Sequence, residues 1–388
     1  MPVIQRNINC FDASLERFRQ LYRIPDGEII ISFSGGKDSG VCVELAIIAA
    51  REAGRLPVKV LMRDEEIMFP GTFEYAERLA KRPEVEFHWV YANQPVINIF
   101  NRDMPYYWTF DPLLKPEQWV RQPPSFAYKI NDLDITHMVC HDRFNLDKEK
   151  KTIYNILGIT MYESRVRRMS FFATSGNFIT RPLEINGGIV RKARPIFDFR
   201  PGDIFKAIKD NNWDYNTAYD VLAKHGMPRN AVRIAPPTLI LAGINGLKIT
   251  AKAFPSWFYK VSERLKGVRM AVNFGNKAIL PIRRYGETWE DCYKRTCIVE
   301  APDWIAERST KAMNHILKIH AKHTVTPFPD SGACHLCGVM VGSWKKMAYV
   351  FYSGDPFLLK AKRFGILGYV EPDFFRKGSG TWGGNPTF

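Results

Sequence analysis

The stretch from Glu28 to Leu45, "EIIISFSGGKDSGVCVEL", constrains this chain more than any other. Its first part is an unbroken β-branched run, which reads as a strand buried on both faces, and its last part resumes apolar residues at helical spacing. Where a strand turns into a helix, the first helical N–H groups lack partners and the macrodipole is positive, so the turn stabilises an anion. Gly35 and Gly36 let backbone approach closely, Ser34 and Ser39 offer hydroxyls, and Lys37 offers charge. A bare Gly-Gly pair is more often an ordinary turn. The whole string is more specific, and it lacks the four residues that a Walker A loop places between its first glycine and Gly-Lys.

The surroundings alternate between the two periods. "DASLERFRQLYR" reads as a short amphipathic helix after an Asp12 cap, and "PVKVLM" and "VEFHWVY" read as strands separated by the helix "GTFEYAERLAKR". After an aromatic and proline-rich insertion at about 93–147, the rhythm returns with "KTIYNILGI", the basic helix "YESRVRRMSFF", two short strands around Gly187 and Gly188, and "PGDIFKAIKDN". Such alternation predicts an α/β fold with a doubly wound, mainly parallel sheet. We place this domain at 1–245 and a basic, cysteine-containing region at 246–388, ending in a Gly-rich tail.

A chain of 388 residues with 46% hydrophobic content can bury a sizeable core. No apolar run reaches the roughly 18 to 20 residues that span a bilayer, and no secretory leader is visible, so the expected compartment is the cytoplasm, with no membrane partner. The formal net charge of +15 predicts anionic company. Residues 163–200 hold eight Lys/Arg against three Asp/Glu, and residues 246–295 hold eleven against four. The first excess suits nucleotide phosphates and the second nucleic acid; a solvated basic surface is the plain alternative for either.

"SGGKDS" resembles the pyrophosphate loop (PP-loop) of the ATP pyrophosphatases. "VLMRDEEIMFPGTFEYAERLA", with Asp64, Phe69, Pro70 and Thr72, resembles the second strand and following loop of phosphoadenosine phosphosulfate (PAPS) reductases. "LGITMYESRVRRMS", with Gly158, Glu163, Ser164 and Arg168, is similar to their later Gly-Ile-Arg-x-x-Glu-Ser segment. "RPIFDFRPGDIFKAIKDNN", with Pro195, Asp198 and Asp203, is similar to the segment after it. The four motifs stand in the family's order over about residues 28–230. The length, the "YYWTF" insertion and "WEDCYKRTC" most resemble the branch called immunoglobulin-binding regulator A (IbrA), of bacteria and phages.

The resemblance implies a HUP-like fold of adenine nucleotide alpha hydrolase type, cleavage of ATP between its α- and β-phosphates, and adenylyl transfer to an acceptor. It implies that Ser34, Gly35, Gly36, Lys37, Asp38 and Ser39, with Gly158, Arg165 and Arg168, bind ATP or a related adenine nucleotide with Mg2+. Catalytic roles then fall to Lys37, Asp38, Asp64 and Arg168. Asp64 ends a strand, where α/β proteins hold ligands; Asp38 could equally cap a helix, and Arg165 and Arg168 could equally pair with Glu163. Two positions depart from the family. Thr160 replaces the basic residue after Gly-Ile, and no cysteine follows Cys337 to serve as the attacking thiol, so sulfonucleotide reduction is not expected. Nucleic-acid modification, including sulfur-related modification, and a non-catalytic regulatory module stay open as alternatives.

The seven cysteines do not form a secreted framework. Cys10, Cys42 and Cys140 stand apart, while Cys292 and Cys297 form C-x4-C and Cys334 and Cys337 form C-x2-C. In a reducing compartment these four could gather around a structural Zn2+, with His320, His323 or His335 as substitutes. An iron–sulfur cluster or four ordinary buried residues are the competing readings. Tyr106, Tyr107, Trp108 and Trp119 could stack on bases but read better as local core, and the pair His137 and His141 is set aside for want of a carboxylate signature.

Overall fold

The computed structural model describes residues 7–130, 152–173, 176–185, 188–228, 232, 234, 244–337, 342–356, 367–368 and 370–377. The end of the insertion (131–147), with His137, Cys140 and His141, the residue Gly187, and the tail at 378–388 lie outside the described residues. The chain divides into two compact units, one of Met1–Gln94, Thr109–Pro237 and Ile249–Lys260, the other of Pro95–Trp108, Thr238–Lys248 and Val261–Phe388.

In chain order the first part runs α1 (Cys10–Tyr22), β1 (Gly27–Phe33), α2 (Lys37–Glu52), β2 (Val58–Asp64), α3 (Pro70–Ala80) and β3 (Val85–Tyr91). The hairpin β4 (Pro95–Ile97) and β5 (Tyr106–Trp108) belongs to the second unit. The first then continues with β6 (Tyr128–Lys129), β7 (Thr152–Leu157), α4 (Arg165–Phe172), β8 (Leu183–Ile185), β9 (Gly188–Ala193), α5 (Pro201–Asp210) and α6 (Ala218–Lys224). Seven strands form one sheet in the order β6-β3-β2-β1-β7-β9-β8. Every neighbouring pair is parallel except β8 with β9.

The apolar run of β1 feeds both faces of this sheet. Ile29, Ile31 and Phe33 join the core beneath α1, α2 and α5, while Ile30 joins Leu61, Val90, Ile153 and Val190 in a second core on the opposite face. A strand covered on both sides has no polar alternation to keep, which is why the sequence reads as one apolar run. Asn9, not Asp12, caps α1: its Oδ1 accepts the Asp12 N–H at 2.8 Å. Two acidic residues of the family-like segment hold structure. Asp198 accepts both guanidinium nitrogens of Arg17 at 2.7 and 2.8 Å, and Asp203 accepts the Arg200 N–H at 2.8 Å at the start of α5.

The second unit is mainly helical. It includes α9 (Val268–Phe274), which follows α7 (Ile244–Ala253) and α8 (Pro255–Arg264), then α10 (Trp289–Lys294), α11 (Asp303–His323), α12 (Trp344–Phe351) and α13 (Pro372–Lys377). Its core joins Tyr293, Cys297, Ile316, Trp344 and Phe351. Tyr106, Tyr107 and Trp108 are buried, and the Tyr106 hydroxyl donates to the Val370 carbonyl at 3.0 Å, as local core residues do. No helix among the described residues is long and apolar enough to cross a membrane.

Candidate functional site

The site grows from the place where β1 ends and α2 begins. Gly36 stands extended at the N-cap of α2 and, having no side chain, gives that terminus no cap of its own. Gly35 has φ +73°, and a Cβ there would lie 2.3 Å from Cγ2 of Thr72, so the turn requires glycine for conformation and for space. Asn216 fixes the loop from outside: its Nδ2 donates to the Gly35 carbonyl at 2.9 Å and to Thr72 Oγ1 at 3.0 Å. Ser39 fixes it from inside, its Oγ donating to the Gly36 carbonyl at 2.9 Å and accepting the Ser34 N–H at 3.2 Å. The Lys37 N–H donates to the Tyr219 hydroxyl oxygen at 3.0 Å.

The sheet topology explains why the loop matters. The chain leaves β1 through α2 toward β2 on one side, while β7 flanks β1 on the other. The carboxyl ends of β1 and β7 therefore flank a topological switch point, the crevice where open α/β sheets bind ligands. Gly158, just beyond β7, presses on the first turn of α2: a Cβ at this position would meet Ser39 N at 2.7 Å.

The loop and α4 carry the charged groups singled out in the sequence. Lys37 Nζ lies 2.6 Å from Asp38 Oδ2, with both side chains largely buried. Arg167 pairs with Glu163. Arg165 and Arg168, exposed on α4, have no carboxylate partner among the described residues, and the Arg168 guanidinium stands 5.8 Å from the Tyr162 ring centre. Thr160 is buried with its Oγ1 unpartnered among the described residues.

Asp64 is held differently. It is fully buried, accepting the Glu66 N–H at 2.9 Å and the Trp89 indole N–H at 2.8 Å, and pairing with Arg121. Glu66 in turn accepts the Phe110 N–H at 2.6 Å and the Val120 N–H at 3.0 Å. The acidic run after β2 thus anchors the segment at 110–121. Direct contact of Asp64 with a ligand would require displacing Arg121.

Residues 28–222 match the phosphoadenosine phosphosulfate reductase domain, half of the chain. The chain belongs to this family. It is similar to YbdN, an uncharacterized protein of Escherichia coli K12, at 27% identity over 248 residues, and spans 59% of that protein's length with 59% of its own. Loose structural likenesses include an FMN adenylyltransferase of Candida glabrata (12% identity, 54% of this chain and 57% of that one, TM-score 0.35). They also include the phosphoadenylyl-sulfate reductase of Candida auris in a phosphate complex (10%, 55% and 85%, 0.31). A third is the U34-tRNA thiolase NcsA of Methanococcus maripaludis with its [4Fe-4S] cluster (14%, 69% and 82%, 0.32).

Within this PAPS reductase domain the structure brings Ser34 to Ser39 and Gly158 together at the carboxyl ends of β1 and β7. Asn216 and Tyr219, which complete the loop's hydrogen bonding, were missed by motif reasoning. They lie some 180 residues along, in "NTAYD", a string with no phosphate-binding pattern. Tyr219 also lines a cavity of about 380 Å³ with Phe205, Trp213, Tyr215 and Asp220, a volume within the range of small-molecule pockets.

The four cysteines of the second unit do not form one group. Cys334 and Cys337 lie beside His320, with one ligand atom from each within 4.8 Å of the others. Cys292 and Cys297 are not part of that group. They are buried on α10 and the turn after it, Cys297 Sγ lying 3.8 Å from the Ala348 carbonyl. Burial pushes both thiols up, Cys297 to about 12. Uncharged thiols in an apolar core are the ordinary state of a structural cysteine.

Proposed function

We propose that this chain binds ATP at the loop 34–39 and transfers its adenylyl group to an acceptor, releasing pyrophosphate. The carrying observation is the loop itself: a helix N-terminus whose N-cap is a glycine with no capping side chain of its own, at the switch point of the sheet, beside Lys37 and Gly158. The acceptor's nucleophile attacks the α-phosphorus and the bond to the bridging oxygen of the β-phosphate breaks, leaving pyrophosphate. Lys37 and Arg168 serve as cations for the phosphate charge, with Arg165 alongside. Mg2+ bound to the phosphates would neutralise part of that charge, and Asp38, a carboxylate at the loop, fits its coordination once Lys37 turns to phosphate. Asp64 acts in this scheme through Arg121 and the segment it anchors. We also assign the chain to the IbrA-like branch, which itself carries no reaction, and to the cytoplasm.

A second reading makes the acceptor a nucleic acid. It draws on the net charge of +15 and on α4, where Val166 and Met169 are exposed beside Arg165 and Arg168. The second basic stretch supports it less, because Lys266, Arg269, Arg284, Lys294 and Arg295 there are already paired with carboxylates. Binding that weakens steeply with salt would support a nucleic-acid acceptor.

Gly36→Val tests the main reading. Its backbone is extended, so valine is conformationally tolerated while its branches occupy the space beside Ser34 Oγ and Tyr219 Oη. Calorimetry should show Mg-ATP binding in the parent and its loss in a folded variant. Unchanged binding would refute the phosphate-loop assignment.

A further inference from the structure

The segment between α11 and α12 carries a second piece of chemistry, independent of the nucleotide site. His320 lies in the last turn of α11, and Cys334 and Cys337 follow in "ACHLCG". The His320 side chain is only 5% exposed, and its Nε2 lies 2.7 Å from the Thr326 carbonyl. A carbonyl only accepts, so Nε2 carries the proton and Nδ1 presents a lone pair. That Nδ1 is buried with no hydrogen-bond partner among the described residues. A buried nitrogen left unmet is costly, and an imidazole whose far N–H is fixed by a carbonyl is oriented as a metal-ligating histidine is.

The two sulfurs are arranged to match. The Cys334 N–H donates to the Gly342 carbonyl at 3.0 Å. A Cβ on Gly342 would meet that same nitrogen at 2.4 Å, so the turn around the sulfurs closes backbone against backbone. One ring nitrogen of His320 and the two sulfurs lie within 4.8 Å of one another. A tetrahedral zinc site, with Zn–S of about 2.3 Å and Zn–N of about 2.0 Å, needs edges of roughly 3.5 to 3.8 Å. Two sulfurs and an imidazole suit Zn2+, whereas Mg2+ and Ca2+ take oxygen. A disulfide between Cys334 and Cys337 would leave the buried Nδ1 unexplained.

We infer that His320 Nδ1, Cys334 Sγ and Cys337 Sγ bind one Zn2+, joining the end of α11 to the loop before α12. Binding displaces the two thiol protons. The group has three members among the described residues, and water or another donor takes the fourth position. Cys292 and Cys297 are not ligands.

The full chain, purified anaerobically without chelator, should hold one zinc per chain by elemental analysis. X-ray absorption at the zinc edge should show two sulfurs and at least one imidazole nitrogen. Cys334→Ser and His320→Gln should each lose at least tenfold in zinc affinity against a competing chelator, while Cys292→Ala and Cys297→Ala keep the parent's affinity. The absorption spectrum reads the parent protein, so it decides even where a variant does not fold. Absence of zinc, iron in its place, a disulfide between Cys334 and Cys337, or a four-sulfur shell would each overturn the assignment.

Discussion

Lys37 Nζ lies 2.6 Å from Asp38 Oδ2 at the first turn of α2, directly after the glycine N-cap. In the proposed function, a phosphate takes the lysine from this pair. Replacing Lys37 by Met should therefore weaken Mg-ATP binding by at least tenfold. Asp38→Asn should cost turnover more than binding, since it removes a carboxylate but leaves the cation. Calorimetry and single-turnover rates on both variants check the split, and equal losses in binding would contradict it.

Asp64 and Arg121 predict a stability effect in the first unit. Removing one partner of a buried ion pair leaves the other charge uncompensated, at a cost of roughly 3 kcal/mol. Arg121→Ala should lower the urea midpoint accordingly with little change in slope. The double variant Asp64→Asn, Arg121→Ala should recover part of the loss. A midpoint unchanged in Arg121→Ala would show that the pair contributes nothing.

In the second unit, Glu287 accepts Arg295 Nε at 2.6 Å and Nη2 at 2.9 Å, and the Arg284 N–H at 2.8 Å. These bonds, those of Arg295 first, hold its carboxyl down at about 2. A folded-state value below the unfolded one gives stability that is present above the unfolded value of about 4.3 and lost as pH falls toward 2. Glu287→Gln should flatten the acid limb of a melting-temperature profile across that window. A profile as steep as the parent's would place the acid sensitivity elsewhere.

What the sequence showed and hid follows from the range of the interactions. Strands β1 and β3 and the start of α5 were legible because period and capping are local, and the loop 34–39 was legible because its chemistry is packed into six residues. Local reasoning puts the cap of α1 on Asp12, but the helix begins earlier, at Cys10, so Asn9 is the residue that accepts the Asp12 N–H. Asn216 clamping Gly35, and Arg121 meeting Asp64, join residues 181 and 57 positions apart, and nothing in either string announces the partner. The cysteines show the same limit. Spacing drew Cys292 and Cys297 toward Cys334 and Cys337, but the fold buries the first pair, with Cys297 against the Ala348 carbonyl, and puts His320 beside the second.

The measurement closest to the central claim is the fate of ATP. Purified full-length protein incubated with Mg2+ and ATP, alone and with extracts that supply an acceptor, should yield AMP or an adenylylated product with pyrophosphate, resolved by chromatography. The yield should vanish in Gly36→Val. Formation of ADP and phosphate by the parent, dependent on the same loop, would contradict cleavage between the α- and β-phosphates and with it the account of this site.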